Sequence, residues 1–93
     1  PEILSNINTI DVLYIDGNHT YESTLKYFNM ALSKATNDSV FVFDDIYWSV
    51  GMTRAWNEIK KDPKVTLSID AFYFGFVFFK TEVKEKVDLR ILI

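Results

Sequence analysis

Two apolar segments that each run into acidic residues constrain the fold of this chain more than any other feature. Residues 12–15 are followed directly by Asp16, and residues 40–43 are followed by Asp44 and Asp45. Neither segment alternates apolar with polar side chains, which is typical of strands buried on both sides of a sheet. The two segments therefore predict an α/β fold in which helices cover both faces of the first strand.

The residues between these two segments predict a helix. Within residues 21–35, Leu25, Phe28 and Leu32 recur at spacings of three and four, the period of one helix face. A strand, a helix and a strand over about thirty residues require a crossover, so the strands are expected to be parallel and the crossover right-handed. Both strands then end at the same edge of the sheet, and the acidic residues are expected there.

The second half of the chain predicts a second helix and an antiparallel hairpin. Residues 49–61 carry an apolar i, i+3, i+4, i+7 pattern that predicts the helix. Residues 65–71 alternate apolar and polar side chains, which predicts an exposed or edge strand, whereas residues 74–80 are almost wholly apolar and predict a strand between two others. The short turn between them favours a hairpin. Residues 87–93 alternate again and predict a further short strand or a docking tail.

Length and composition bound the class of protein. The chain of 93 residues forms at most one domain, and its high apolar content predicts a packed core or a large interface. The net charge of −3 and the absence of a basic run argue against nucleic-acid binding. Without cysteine the chain has no disulfide and no thiolate metal site, which fits a cytoplasmic protein.

The N-terminal residues predict that the chain is a piece of a longer protein. Residues 1–10 lack an initiator methionine and a signal-type segment, and their apolar spacing is that of the end of a helix. The longest apolar run, residues 71–79, is too short to span a membrane, so no membrane partner is expected. We therefore treat residues 1–93 as a single partial domain.

The acidic residues at the predicted sheet edge are the strongest functional clue. Carboxylates from Asp16, Asp44 and Asp45, completed by water, suit a hard divalent cation such as Mg²⁺. A structural alternative is that these acids cap a helix or accept hydrogen bonds from loop amides. His19, the only histidine, has an ordinary pKa that suits proton transfer near neutral pH, although a lone histidine is also common as a loop residue.

Aromatic residues follow the same strand ends. Tyr21, Tyr47 and Trp48 lie in the loops or helix start beyond the two strands, and we expect them to wall a substrate pocket. Trp56 falls instead on the apolar face of the second predicted helix, so we interpret it as a packing residue.

Three motifs, in residues 15–24, 43–46 and 51–56, resemble those of class I S-adenosylmethionine-dependent methyltransferases. In particular they resemble metal-dependent O-methyltransferases, in which an Asp-Gly-x-x-x-Tyr-Glu-Ser-Thr segment precedes an Asp-Asp pair. The resemblance implies a partial Rossmann-like sheet, with two parallel strands, a C-terminal antiparallel hairpin and flanking helices. The half of that fold that holds most of the cofactor has no counterpart in this chain, so we expect the isolated fragment to be inactive.

The resemblance also implies roles for individual residues. It implies cofactor contacts from Asp16, Gly17 and His19. By position, Asp16, Asp44 and Asp45 match metal-ligating carboxylates, and the metal would lower the pKa of a substrate hydroxyl. The family often has a second acid at the position of Asn18. The resemblance therefore implies His19, together with Asp16, as a catalytic residue in its place.

The resemblance therefore implies part of an O-methyltransferase that uses S-adenosylmethionine and Mg²⁺ to methylate a hydroxylated small molecule, such as a sugar. One alternative is a non-catalytic association module or an inactive homologue that forms a homo-oligomer through an exposed sheet edge. Another is a phosphoacceptor receiver domain. That class also uses an acid pair and a single acid, but there the pair comes first in the chain, and here the order is reversed.

Overall fold

A computed structural model of the protein describes residues 9–16 and 20–91. The elements in this part of the chain, in order, are β1 Ile10–Ile15, α1 Tyr21–Leu32, β2 Ala35–Asp44, α2 Val50–Lys60, β3 Leu67–Asp70, β4 Phe74–Phe78 and β5 Val87–Arg90. Neither helix has the length and apolar character that crossing a bilayer requires. The N-terminal helix end predicted from residues 1–10 lies almost wholly outside the described residues.

The strands form one mixed sheet in the order β1-β2-β4-β3-β5. β1 and β2 are parallel, with Val12 opposite Val40 and Ile15 opposite Phe43. β4 is antiparallel to both β2 and β3, and β5 is parallel to β3. The predicted α/β fold, parallel pair, C-terminal hairpin and central position of β4 are therefore confirmed. The C-terminal residues Val87–Arg90 form a short strand, β5, which is one of the two alternatives predicted for them.

β3 differs from its prediction in two respects. It is not an edge strand, because β5 pairs along its outer side. Its polar face is also the more buried one, since Ser68 and Asp70 are each 2% exposed while Leu67 and Ile69 are half-buried. Long-range partners make this burial possible: the Ser68 hydroxyl, for example, donates a 2.9 Å hydrogen bond to the Asp88 carboxylate. Alternation alone therefore identified the strand but not its central position or the burial of its polar side chains.

Both helices pack on the same face of the sheet. α1 places Phe28 with its ring centroid 6.2 Å from those of Phe41 and Phe43, and α2 places Trp56 with its centroid 5.9 Å from that of Phe43. Trp56 is 1% exposed, which confirms its prediction as a packing residue. Gly75 on β4 makes room for it, because a Cβ at that position would lie 2.6 Å from two carbons of the indole ring.

The opposite face of the sheet carries no helix within residues 9–16 and 20–91. Ile10 and Ile15 of β1 are buried, whereas Val12 is 66% and Tyr14 56% exposed. The prediction that helices cover both faces of β1 is therefore wrong for this part of the chain. A continuous apolar sequence did not distinguish the covered face from the open one.

Side-chain caps and local hydrogen bonds set the element boundaries. Thr20 Oγ1 accepts a hydrogen bond from the Ser23 N–H at 3.1 Å at the start of α1, and Ser49 Oγ accepts from the Met52 N–H at 3.0 Å at the start of α2. α1 ends at Leu32, earlier than predicted, because β2 already begins at Ala35. Residues 36–38, a polar Thr-Asn-Asp segment that interrupts the apolar pattern, belong to this strand, and the β1-β2 register shifts beside them.

Candidate functional site

The ends of β1 and β2 bring the predicted acidic residues to one edge of the sheet. Ile15 lies opposite Phe43 in the parallel ladder. The residues that follow them, Asp16 and Asp44, therefore lie at the same edge of the sheet, and Asp45 comes next. Asp16 is exposed, while Asp44 and Asp45 are half-buried. Gly17 and His19, which the sequence also assigns to the site, lie outside the described residues.

The carboxylate of Asp44 has a specific partner on the neighbouring strand. The Tyr14 hydroxyl donates a hydrogen bond to Asp44 Oδ2. This hydrogen bond, with smaller effects of desolvation and of the negative charges of Asp44, Asp16 and Asp45, raises the pKa of Tyr14 to about 12. At neutral pH the phenol is therefore protonated and serves as a donor that orients Asp44.

Two residues with left-handed backbone join the loop after β2 to the β3-β4 turn. Asp45 has φ +52° and Phe72 has φ +67°. Aspartate tolerates this region better than most residues, whereas a bulky aromatic residue is strained there. The Asp45 N–H donates to the Tyr73 carbonyl at 2.7 Å, and the Phe72 N–H donates to Asp70 Oδ1 at 3.0 Å. The first of these bonds joins the two loops at the edge that carries the acids, and the second lies within the β3-β4 turn.

An aromatic pocket lies between these loops. It has a volume of about 170 Å³, and its lining residues are Asp45, Tyr47, Trp48, Phe72 and Tyr73. The ring centroids of Tyr47 and Phe72 are 5.9 Å apart, and the Phe72 and Tyr73 rings meet edge to face at 4.8 Å. The structure thus brings the predicted residues Tyr47 and Trp48 together with Asp45.

Sequence reasoning missed Phe72 and Tyr73. The available signal was the turn between two predicted strands, where residues 71–74 read Ala-Phe-Tyr-Phe in place of the glycine, asparagine or proline common in turns. Adjacent exposed aromatic side chains at a turn contribute nothing to the core, so they indicate a binding role.

A second cavity, of about 330 Å³, shares Tyr47 and Phe72 with the first and is also lined by Asp70, Arg90 and Ile91. The Tyr47 hydroxyl donates to Asp70 Oδ2, and Arg90 Nε lies 3.7 Å from the same oxygen. Burial, followed by the hydrogen bond to Asp70, raises the pKa of Tyr47. Asp70 is thus a buried carboxylate that fixes the Tyr47 ring, a role that its placement on a polar strand face concealed in the sequence.

Tyr21 does not line either of these cavities. It is half-buried at the start of α1, and the guanidinium carbon of Arg54 on α2 lies 4.3 Å from its ring centroid. This cation–π contact ties the two helices together. Substrate binding by Tyr21 stays a prediction.

The carboxylates of the site do not form a metal centre as they are arranged. Among residues 9–16 and 20–91, no three His, Cys, Asp or Glu side chains are grouped so that they can hold a metal ion. One Asp44 oxygen already accepts the Tyr14 hydroxyl. The described side chains therefore do not fit Mg²⁺ in this arrangement, and ligation by Asp16, Asp44 and Asp45 stays a prediction.

Comparisons with known proteins support a methyltransferase domain. Residues 1–46 match a family model described as a methyltransferase domain, which takes in β1, α1 and β2 and ends just beyond Asp44 and Asp45. An uncharacterized protein of Acanthamoeba polyphaga mimivirus is 36% identical over 58 residues, a match that covers 59% of this chain and 26% of the relative. The chain thus spans about a quarter of the length of that relative. No solved structure matches the chain significantly.

Proposed function

We propose that this chain is part of an S-adenosylmethionine-dependent O-methyltransferase that acts on a hydroxylated small molecule, such as a sugar. The observation that carries the proposal is the family match over residues 1–46, which extends as far as the acidic edge of the sheet. The aromatic pocket at that edge, with Tyr47 and Trp48 among its walls, supports a small-molecule acceptor.

The proposed reaction releases one proton that the protein must accept. S-adenosylmethionine supplies the methyl group when it is bound. A carbon–oxygen bond forms, the sulfonium–methyl bond breaks with its electron pair returning to sulfur, and the acceptor hydroxyl loses its proton. Asp16 and His19 are the proposed catalytic residues that take this proton, because a carboxylate and an imidazole can each act as a general base. Gly17 joins them in the proposed cofactor contacts.

Asp44 is a positioning group in this proposal. The Tyr14 hydroxyl occupies one of its oxygens, which leaves the other to accept a hydrogen bond from the acceptor hydroxyl. A protonated Tyr14 keeps the carboxylate in one orientation, and a fixed orientation of reacting groups is a large part of catalysis. No step in this scheme requires a metal ion.

The test is methyl transfer by the full-length protein from isotope-labelled S-adenosylmethionine to a panel of hydroxylated acceptors. We expect Asp16→Asn to lower kcat/KM about a hundredfold or more, since loss of a general base has effects of this order. Asp38→Asn, a change of the same kind on the exposed N-terminal part of β2, is the matched control and should leave the rate unchanged. The proposal would be overturned if the protein neither bound the cofactor nor transferred a methyl group to any acceptor.

Adding a chelator tests the metal prediction separately from the rest of the scheme. If activity falls with EDTA and returns with Mg²⁺, the predicted ligands Asp16, Asp44 and Asp45 gain support, and Asp44→Asn should then abolish the Mg²⁺ response. If activity is unchanged with EDTA, the metal prediction is wrong while methyl transfer by the residues above stands.

We propose self-association through β1 as a second candidate function. Among the strands of residues 9–16 and 20–91, β1 is the end strand of the sheet, and its Val12 and Tyr14 side chains are largely exposed. A strand with an open flank can pair with another copy, and exposed apolar side chains favour such contacts. This candidate requires neither cofactor nor acceptor.

A further inference from the structure

The aromatic pocket is lined by four aromatic residues and one acidic residue. The aromatic residues are Tyr47, Trp48, Phe72 and Tyr73 and the acidic residue is Asp45, while no lysine or arginine of residues 9–16 and 20–91 lines the cavity. Aromatic faces attract cations through their quadrupole, most strongly for tryptophan, and clusters of such faces recognise methylated ammonium groups. We propose that this pocket binds a methylated ammonium group, such as the trimethylammonium head of a small molecule.

The pocket is held in shape before any ligand binds. Phe72 contacts both Tyr47 and Tyr73, and the Asp45 N–H bonds to the Tyr73 carbonyl at 2.7 Å. The backbone N–H of Trp48 in turn donates to the backbone carbonyl of Asp45 at 2.9 Å. Because the loops are already joined, a ligand does not have to order them, and less binding energy is lost.

The size of the pocket limits what it can take. Sites for whole drug-sized ligands have volumes of roughly 300–1,000 Å³, whereas this cavity has about 170 Å³. It therefore accommodates a single compact head group and leaves the rest of the ligand outside. Trp48, which is 70% exposed, forms part of the rim where the remainder of the ligand would emerge.

The surrounding charges favour a cation over an anion. Asp44 and Asp16 lie at the same sheet edge as Asp45, so three carboxylates contribute negative charge at this edge. In the neighbouring cavity, which shares Tyr47 and Phe72, Arg90 lies 3.7 Å from the Asp70 carboxylate, so a cation there would meet a positive charge as well as a negative one. A cation is therefore favoured beside Asp45.

This inference deepens the proposed function, and rests on it only for the idea that the ligand is the methyl acceptor. Binding of the ammonium group follows from the pocket itself and requires neither cofactor nor methyl transfer. An acceptor of this kind would carry a methylated amino group beside the hydroxyl that receives the methyl group.

The test compares two compounds of the same shape and different charge. Choline and its neutral isostere 3,3-dimethylbutan-1-ol are titrated into the 93-residue chain, and binding is followed through the indole N–H resonance of Trp48 in NMR spectra. Trp56 is buried and serves as the internal control. We expect choline to bind about tenfold more tightly, which corresponds to about 1.4 kcal/mol, and added salt to weaken its binding.

Matched variants assign the effect to the pocket. Asp45→Asn removes the charge while retaining a side chain that tolerates left-handed backbone, and we expect choline binding to weaken about three- to fivefold and the preference over the isostere to shrink. Asp38→Asn, which removes a charge elsewhere, should change nothing. Trp48→Ala, for which binding is measured by calorimetry because the variant lacks the indole resonance, should abolish choline binding with the fold intact, because this side chain is exposed.

Three results would overturn the inference: equal binding of choline and its isostere, an unchanged affinity in Asp45→Asn, or no shift of the Trp48 resonance with choline. The outcomes also separate the two proposals. Choline binding to a full-length protein that transfers no methyl group supports the pocket and overturns the enzyme. Methyl transfer without choline binding supports the enzyme and overturns the pocket.

Discussion

At the scale of single residues, the contact between Gly75 and Trp56 yields a sharp prediction about stability. A Cβ at position 75 would lie 2.6 Å from the buried indole ring, closer than carbon atoms approach one another. Gly75→Ala should therefore lower the free energy of unfolding by about 1–3 kcal/mol, as overpacked cores do. Urea unfolding followed by circular dichroism measures the change.

Gly51 supplies the control for this substitution. It lies in the first turn of α2, where an added Cβ would meet its nearest neighbour at 3.5 Å, an ordinary contact. Gly51→Ala should be neutral or stabilise the protein by up to about 1 kcal/mol, because alanine restricts the unfolded chain and favours the helix. Equal destabilisation by both substitutions would contradict the steric explanation.

The hydrogen bond between Tyr14 and Asp44 predicts a pH dependence. The pKa of Tyr14 is raised from its ordinary value of 10.0 to about 12, so the folded state favours the protonated phenol. The stabilisation is fully present below about pH 10 and is lost as the pH rises toward 12. The difference in phenolate absorbance between the wild type and Tyr14→Phe reports this titration.

Asp44→Asn checks the cause of this shift. Without the carboxylate, the Tyr14 titration should move down toward its ordinary range, and the loss of stability between about pH 10 and pH 12 should become smaller, because the folded and unfolded pKa values then agree more closely. A wild-type midpoint near pH 10, or one that Asp44→Asn leaves unchanged, would show that the hydrogen bond does not form in solution.

Residues also mark the limit of what the sequence can predict about the site. Asp45, Tyr47 and Trp48 follow an apolar strand directly, so their place at the sheet edge could be inferred from local pattern. Phe72 and Asp70 belong to the site only because β4 inserts between β2 and β3, which brings the β3-β4 turn beside Asp45. Their roles depend on long-range pairing, and local spacing carries no signal of it.

At the scale of elements, the start of α2 depends on its cap. Ser49 Oγ accepts the Met52 N–H at 3.0 Å and satisfies one of the free donors of the first turn. Ser49→Ala should lower the free energy of unfolding by about 0.5–2 kcal/mol, and Ser49→Asp should retain stability, because aspartate is an equally good N-cap. Thermal unfolding of the three proteins tests this.

Ser33 is the comparison residue for that experiment. Its hydroxyl lies at the C-terminal end of α1 and makes only a long 3.4 Å hydrogen bond to the Met30 carbonyl. Ser33→Ala should change stability little. A loss as large as that of Ser49→Ala would indicate a general effect of removing a hydroxyl rather than the loss of a cap.

The elements themselves were largely predictable, because apolar spacing distinguishes helix from strand. The clearest failure is the start of β2, where the polar residues Thr36 and Asn37 interrupt the apolar pattern and indicate a break rather than a strand. In the structure, the Thr36 N–H donates to Ser39 Oγ at 2.8 Å, and Asn37 Oδ1 accepts the Thr81 N–H at 2.7 Å. Side-chain partners, one of them distant in sequence, thus stabilise an extended segment that its composition disfavours.

At the scale of the whole molecule, the two faces of the sheet differ. The helices cover one face, while the register places apolar side chains from all five strands on the other, among them Val12, Val42, Phe76, Ile69 and Leu89. Within the described part of the chain all of these are half-buried or exposed. Such a face favours contact with another apolar surface.

Self-association of the 93-residue chain tests this asymmetry. We expect sedimentation to show dimers or larger species that dissociate on dilution, and Val12→Lys and Leu89→Lys to shift the chain toward monomer, because each places a charge on the open face. Asn29→Lys adds the same charge to the exposed side of α1 and should leave association unchanged. A wild type that stays monomeric at all concentrations would count against the second candidate function.

The close approach of Gly75 to Trp56 also constrains how this sequence can diverge. The two positions lie on different elements, yet the space at one is set by the side chain at the other. In homologous chains, a residue larger than glycine at position 75 is expected only where position 56 carries something smaller than tryptophan. The pair should therefore covary, and the double change Trp56→Leu with Gly75→Ala should be tolerated better than Gly75→Ala alone.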